Sequence, residues 1–155
     1  MLKVLVVCEH NAGRSQIAYT YLNEYGGEQF SVECGGLDPL PLNPLVVEVM
    51  KEEGFDINNI DNSYSVVDLI KLKRQYHVVI TVCSRETDAL CPVFPGKAMR
   101  LNWPYPDPET FDFDEEEMFT RIRLIRDGIK SDVRNFVRDY KRMGMSMIAR
   151  LSYPI

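Results

Sequence analysis

Residues 3–27 read KVLVVCEHNAGRSQIAYTYLNEYGG, and the fold follows from how this stretch divides. Lys3 to Val7 is a short β-branched run with no helical period, the pattern of a buried strand. It breaks at a polar turn from Glu9 to Gly13. From Arg14 onward Ile17, Ala18, Tyr21, Leu22 and Tyr25 recur at three and four residues and end at Gly26-Gly27, which predicts an amphipathic helix with a glycine stop. Strand, tight turn and helix therefore follow one another directly.

The rest of the chain continues the alternation. Gln29 to Cys34 predicts a second strand closed by Gly35-Gly36, and a proline-rich loop runs from Leu37 to Pro41. Asn43 reads as an N-cap with Pro44 in the first turn of a helix that stops at Gly54. Ser65 with Asp68 marks another helix start, continuing to about Gln75. His77 to Val82 is the most strand-like run, and Ala98 to Trp103 is a weaker one. Met118, Ile122, Ile125, Ile129, Val133, Phe136 and Tyr140 keep helical spacing, which predicts one long helix between Asp114 and Tyr140 with a candidate bend at Gly128. The acidic run Asp112 to Glu117 suits its cap and dipole. Strands alternating with helices imply a parallel sheet covered on both faces. In such sheets ligands bind beyond the carboxyl ends of the strands, where Cys8 and Cys83 both fall.

Composition narrows the function. The 155 residues, 45% apolar and 26% charged, suit a single domain over 1–155 with a full core. Eighteen Lys+Arg against 23 Asp+Glu leave a charge of −5, with no basic block to neutralise a phosphate backbone, so nucleic acid is not the expected partner. Apolar runs such as Leu2 to Val7 fall far short of the ~20 residues that span a bilayer, so no membrane association is expected. Glu9, His10, Asn11 and Arg14 interrupt the place where the apolar core of a signal peptide would continue. The expectation is a cytoplasmic protein. A stable disulfide is not expected there, so Cys8, Cys34, Cys83 and Cys91 are buried thiols, metal ligands or reactive groups.

The segment Cys8-Glu-His-Asn-Ala-Gly13-Arg14-Ser15 puts a thiol at a strand end, five residues in a turn, and an arginine opening a helix. Successive amides in such a turn form an anion nest, to which the helix N-terminus adds positive charge. Arg14 supplies a planar charged fork matched to a tetrahedral oxyanion. The same surroundings, with a Ser15 hydroxyl hydrogen bond, should hold Cys8 as thiolate. Gly13 lets the backbone approach the ligand, and Asn11 is placed to pin the loop. A buried strand-end cysteine before an ordinary turn is the competing reading, and the flanking strand and helix weigh against it.

Cys83 and Cys91 lie eight residues apart across a polar segment. They can pair only if that segment folds back, which would eject Cys91 toward solvent. Core packing and half of a metal site compete. The metal reading is weak, because no Cys-x2-Cys accompanies the pair and His10 and His77 are isolated. Asp107, in Trp103-Pro-Tyr-Pro-Asp-Pro108, reads alone as a turn. Cys34 reads as a small buried hydrophobe.

Residues 8–18, Cys-Glu-His-Asn-Ala-Gly-Arg-Ser-Gln-Ile-Ala, resemble the phosphate-binding loop and first helix of the low-molecular-weight protein tyrosine phosphatase superfamily. Their His-Asn-Ala-Gly-Arg-Ser-Gln wording is closer to the thioredoxin-linked arsenate reductases within it. The similarity continues through the Pro44 to Gly54 helix, the downstream cysteines, Trp103 to Pro108 and Arg126-Asp127. It implies a three-layer α/β sandwich with a central four-stranded parallel sheet. It also implies Cys8 as nucleophile, with the oxyanion held by the backbone of Glu9, His10, Asn11, Ala12 and Gly13 and by Arg14. Ser15 would support the thiolate, and Asp107 would be the general acid. Cys83 and then Cys91 would relay the oxidation to thioredoxin, with arsenate as substrate and phosphate or sulfate able to occupy its place. No bound cofactor and no metal are expected. Glu109 follows Asp-Pro where the phosphatases usually carry an aromatic residue, which favours the reductase branch. Tyr19 stands where some reductases carry a carboxylate associated with potassium, so that ion is not carried over. Asn102 stands where histidine is common before Trp103, which leaves the support of the Asp107 loop open. The alternatives are a tyrosine phosphatase using Cys8, Arg14 and Asp107 alone, and a non-catalytic arsenite-binding or redox-sensing thiol protein.

Overall fold

The computed structural model describes residues 1–61 and 64–147. The last eight residues of the expected 1–155 domain lie outside that range. The elements run β1 (Leu2–Cys8), α1 (Arg14–Gly26), β2 (Phe30–Gly36), α2 (Pro44–Lys51), α3 (Val66–Lys71), β3 (Val78–Thr81), α4 (Arg85–Asp88), β4 (Met99–Asn102) and α5 (Glu115–Met143). The four strands form one parallel sheet in the order β2-β1-β3-β4. Chain order therefore reverses between β1 and β3, the point where open α/β sheets leave a crevice at the strand ends.

Side chains on the central strands alternate between two cores, as the pleat requires. Val4, Val6, Val78, Ile80 and Val82 face a cluster with residues of α1, α2 and α5. Leu5, Val7 and Val79 face the opposite side, against Val66 and Leu69 of α3, Tyr76, Cys91 and Phe94. This is the expected three-layer sandwich. Helix α5 presents Ile122, Ile125, Ile129 and Val133 to α1 and α2. Each such aliphatic burial contributes about 1.5–3 kcal/mol.

The structure departs from the sequence reading at several places, among them α2, which ends at Lys51 rather than at Gly54, and α5, which runs to Met143 rather than Tyr140. β2 does not close before Gly35-Gly36 but runs through both, pairing Gly35 with Val7 and Gly36 with Cys8. The helix after Ser65 begins as expected, with a reciprocal capping box between Ser65 and Asp68. It ends at Lys71 rather than near Gln75, because Lys73 takes the left-handed conformation (φ 58°) that reverses the chain, a place usually given to glycine. Helix α5 is continuous through Gly128. A side-chain carbon at Gly128 would stand 2.8 Å from the Tyr105 ring, so the glycine makes room for an aromatic rather than marking a break. Asp114 caps α5 by accepting from Glu117 N at 2.8 Å, as the acidic run implied.

Candidate active site

The Glu9–Gly13 loop sits at the carboxyl end of β1, and its peptide planes are turned by the segment after β2. Leu37, Asp38, Leu40 and Asn43 donate to the carbonyls of Cys8, Glu9, His10 and Ala12 at 2.8–3.2 Å. In a trans peptide the next amide points the opposite way. The N–H groups of Glu9, His10, Asn11 and Gly13 are thereby turned away from that segment, and Asn11 N–H donates to Cys8 Sγ at 3.1 Å.

Asn11 holds this shape. It takes a left-handed conformation (φ 50°) that asparagine tolerates. Its Oδ1 accepts from Ser15 Oγ at 2.6 Å and from Gln16 Nε2 at 2.9 Å. Ser15 Oγ also lies 3.0 Å from Cys8 Sγ. A serine has one hydroxyl hydrogen, so with a thiol the S–H donates to Oγ, and with a thiolate the hydroxyl can turn to sulfur. Gly13, which the sequence reading has letting the backbone approach the ligand, also makes room for a helix: a Cβ there would stand 3.1 Å from Val46 Cγ2, so the glycine lets α2 close on the loop.

Arg14 opens α1 and is buried at 4% exposure. Its Nη1 donates to Tyr105 O at 2.9 Å, and its Nη2 lies 3.7 Å from Asp107 Oδ1. Asp107 is fixed by an Asx turn, Oδ1 accepting from Glu109 N at 3.0 Å. The result is a narrow pocket with Cys8, Gly13 and Arg14 on one side and Asp107 on the other. Asn43 and Glu109 stand at the same pocket, joined by an Asn43 Nδ2 to Glu109 Oε1 hydrogen bond of 2.9 Å. Side chains of Cys8, Arg14 and Asp107, distant in sequence, are thus brought to one cavity suited to a small oxyanion.

Cys83 lies two residues beyond β3 and is buried. Burial pushes its thiol up to about 12, opposed by the nearby positive charge of Arg14 and reinforced by Cys8, Asp88 and Cys91. Cys91 is not at the pocket. It packs on the other side of the sheet with Val7, Leu69 and Phe94, where burial also raises its thiol. The segment between them forms α4, capped by Ser84 Oγ accepting from Thr87 N at 3.2 Å. Arg100 on β4 clasps it, donating to Asp88 Oδ1 at 3.0 Å, to the Asp88 carbonyl, and to Cys91 O at 3.1 Å. Cys34 is a buried thiol held by Gln16 Nε2 at 3.6 Å and Asp61 O at 3.5 Å, and burial pushes it up to about 11.

Sequence reasoning missed four supports. Gln16 anchors the loop by donating to Asn11 O at 3.1 Å. Tyr105 supplies the carbonyl that positions Arg14, while its hydroxyl bonds Asp132. Asn43 reads in the sequence only as a cap, which it is, and it also orients Glu109. Asn102, whose support of the Asp107 loop the sequence leaves open, instead braces Cys83: its Nδ2 donates to Cys83 O and to Thr81 Oγ1, both at 3.0 Å. Of these, only asparagine in place of the usual histidine was a visible signal.

Residues 3–145 match the family Low molecular weight phosphotyrosine protein phosphatase. The chain belongs to this family. Within it, the chain is 30% identical over 138 residues to an arsenate reductase of Bacillus subtilis, covering 89% of this chain and 96% of that one. It is 32% identical over 133 residues to an arsenate reductase of Staphylococcus saprophyticus, covering 86% and 94%. Among solved structures it resembles an arsenate reductase in oxidized state, with TM-score 0.73, 25% identity and 90% of this chain and 98% of that one covered. It also resembles a thioredoxin-dependent arsenate reductase of Corynebacterium glutamicum, with TM-score 0.68 and 29% identity, covering 92% of this chain and 63% of that one. The tyrosine phosphatase Wzb of Escherichia coli shares the family's fold at TM-score 0.71 and 14% identity. Among the described residues no helix is long and apolar enough to cross a membrane.

Proposed function

We propose that this protein reduces arsenate to arsenite through three thiols in sequence, recharged by thioredoxin, with no bound cofactor. The observation supporting it best is a second thiol, Cys83, just past the end of β3 beside Cys8 at the end of β1, where Val82 N donates to Val7 O at 2.8 Å. Hydrolysis of a phosphate ester through one nucleophile and one acid needs no second thiol. The arsenate reductases among its relatives support the same reading.

In the first step the Cys8 thiolate attacks arsenate held by the loop amides and Arg14. A sulfur–arsenic bond forms and an arsenic–oxygen bond breaks, with Asp107 giving a proton so that oxygen leaves as water. In the second, the Cys83 thiolate attacks Cys8 sulfur. The sulfur–arsenic electron pair goes to arsenic, reducing As(V) to As(III), and a Cys8–Cys83 disulfide forms. In the third, Cys91 attacks Cys83, freeing Cys8 and leaving a Cys83–Cys91 disulfide for a thioredoxin dithiol to reduce. Cys83 must first lose the proton that burial holds on it, so the second step quickens as pH rises. A reducing cytoplasm suits a cycle whose disulfides are transient.

NADPH oxidation in the presence of thioredoxin, thioredoxin reductase and arsenate tests this directly. Wild type turns over repeatedly. Cys91→Ser releases about one arsenite per enzyme and stops; repeated turnover by this variant would sink the relay. Cys83→Ser releases none. A phosphatase acting through Cys8, Arg14 and Asp107 is the second reading, favoured by the pocket itself. It predicts aryl phosphate hydrolysis that survives Cys83→Ser and no arsenate-dependent NADPH loss. The polar Asn43–Glu109 pair at the pocket offers an aryl ring no aromatic partner, which weighs toward the bare oxyanion.

A further inference from the structure

His10 contributes its backbone to the oxyanion loop, and its side chain has a separate geometry. The imidazole is partly buried, and Nδ1 lies 3.0 Å from the carbonyl oxygen of Asp38. A carbonyl only accepts, so the proton of a neutral ring belongs on Nδ1. Nε2 then faces Asp107 Oδ2 at 3.8 Å and Glu9 Oε1 at 4.0 Å. These three groups converge within 4.8 Å of one another, all acceptors unless a proton lies among them. Asp107 is also faced by Arg14 Nη2 at 3.7 Å and by the Glu109 amide, both on its other oxygen, Oδ1. The Glu109 carboxylate is engaged by Asn43. Among the described residues, the cationic or proton-bearing group facing Oδ2 is His10, at 3.8 Å.

We propose that His10 is a positioning residue whose Nε2 holds, together with Asp107 Oδ2, the single proton taken by the departing oxygen. The inference rests on the arsenate reading for its substrate but not for its geometry. One proton is what the first step requires. The Cys8 thiolate, the doubly protonated arsenate monoanion and one further proton give a singly protonated, singly negative sulfur–arsenic adduct and one water, with arsenic still As(V). Asp38, by fixing Nδ1, aims the ring in the way that carbonyls orient functional imidazoles.

Long-range ¹H–¹⁵N NMR of the substrate-free protein tests the geometry, because the chain has only two histidines and His77→Gln assigns them. In its neutral form His10 should be the Nδ1–H tautomer, and its Nε2 resonance should move in Asp107→Asn. An Nε2–H tautomer, or an Nε2 signal indifferent to Asp107→Asn, overturns the proposal. Kinetics test the role. His10→Gln retains an amide donor but no transferable proton, and should lower kcat for arsenite formation on the order of tenfold, with KM for arsenate nearly unchanged. That is less than the ~100-fold or more expected from losing the acid itself. His10→Ala should regain rate with added imidazole, and Asp107→Asn should not. Wild-type kcat in His10→Gln, a loss confined to KM, or no rescue would each refute it. If wild type forms no arsenite at all, the arsenate reading fails, and the NMR arm still decides the histidine pair.

Discussion

Gly36 ends β2 with its α-carbon against the oxyanion loop. A side-chain carbon there would stand 3.0 Å from Asn11 Cβ and 3.1 Å from the backbone of Asn11 and His10. Those neighbours cannot yield cheaply, because Asn11 sets the loop and His10 O is already bonded to Leu40 N. Gly36→Ala should therefore cost about 1–3 kcal/mol, as overpacking generally does, and should weaken oxyanion binding along with it. Urea unfolding and phosphate-dependent protection of Cys8 from alkylation would measure the two effects, and unchanged values in both would show that the loop has slack. In the sequence Gly36 reads as a strand stop, because a glycine's reason is invisible without its neighbours. Cys8, Arg14 and Ser15 were legible because one loop gathers their chemistry within eight residues. Tyr105 was not, because Arg14 uses its carbonyl, a group that every residue carries.

Among the elements, long periodic helices and β-branched strands announced themselves, while the four-residue α4 did not, being shorter than any period can show. Its role depends on β4, twelve residues further on, through Arg100. That guanidinium spans Asp88 and the Cys91 carbonyl, so it keeps the Cys91 thiol packed against Val7 and Leu69. Thr81 Oγ1 adds a 2.6 Å bond to the same Asp88 carboxylate. Opening the segment breaks charge-assisted hydrogen bonds, each worth about 1.5–3 kcal/mol when buried and less at this partial exposure. Arg100→Leu should then raise the rate of Cys91 alkylation by N-ethylmaleimide at neutral pH about tenfold, through a larger open population. Peptide mass mapping would separate Cys91 from Cys83. Equal rates in variant and wild type would mean that apolar packing alone restrains the thiol.

At the scale of the molecule, alternation of elements made a parallel sheet legible but left the order β2-β1-β3-β4 open, since pairing joins residues far apart in sequence. The same distance hid the tie between α2 and α5. Arg126, visible in the sequence only as part of Arg126-Asp127, donates from Nη1 to Val49 O at 3.0 Å and to Glu52 Oε1 at 2.9 Å. Arg123 adds a forked pair to the same carboxylate, at 3.0 and 2.7 Å. Hydrogen bonds from Arg123 chiefly, and from Arg126, lower Glu52 from its ordinary 4.5 to about 2. A carboxyl more acidic in the folded than in the unfolded chain stabilises the fold above its unfolded value, and that contribution is lost as pH falls. The contribution of Glu52 should thus be complete above about 4.5 and fade toward about 2. Glu52→Gln should melt below wild type at neutral pH, with the gap in Tm narrowing steadily across that acidic window. Added salt should shrink the neutral gap, since the carboxylate is solvent-facing. A gap that stays constant from neutral pH down to about pH 2 would show that the two arginines hold α2 to α5 by packing and neutral hydrogen bonds rather than by this charge.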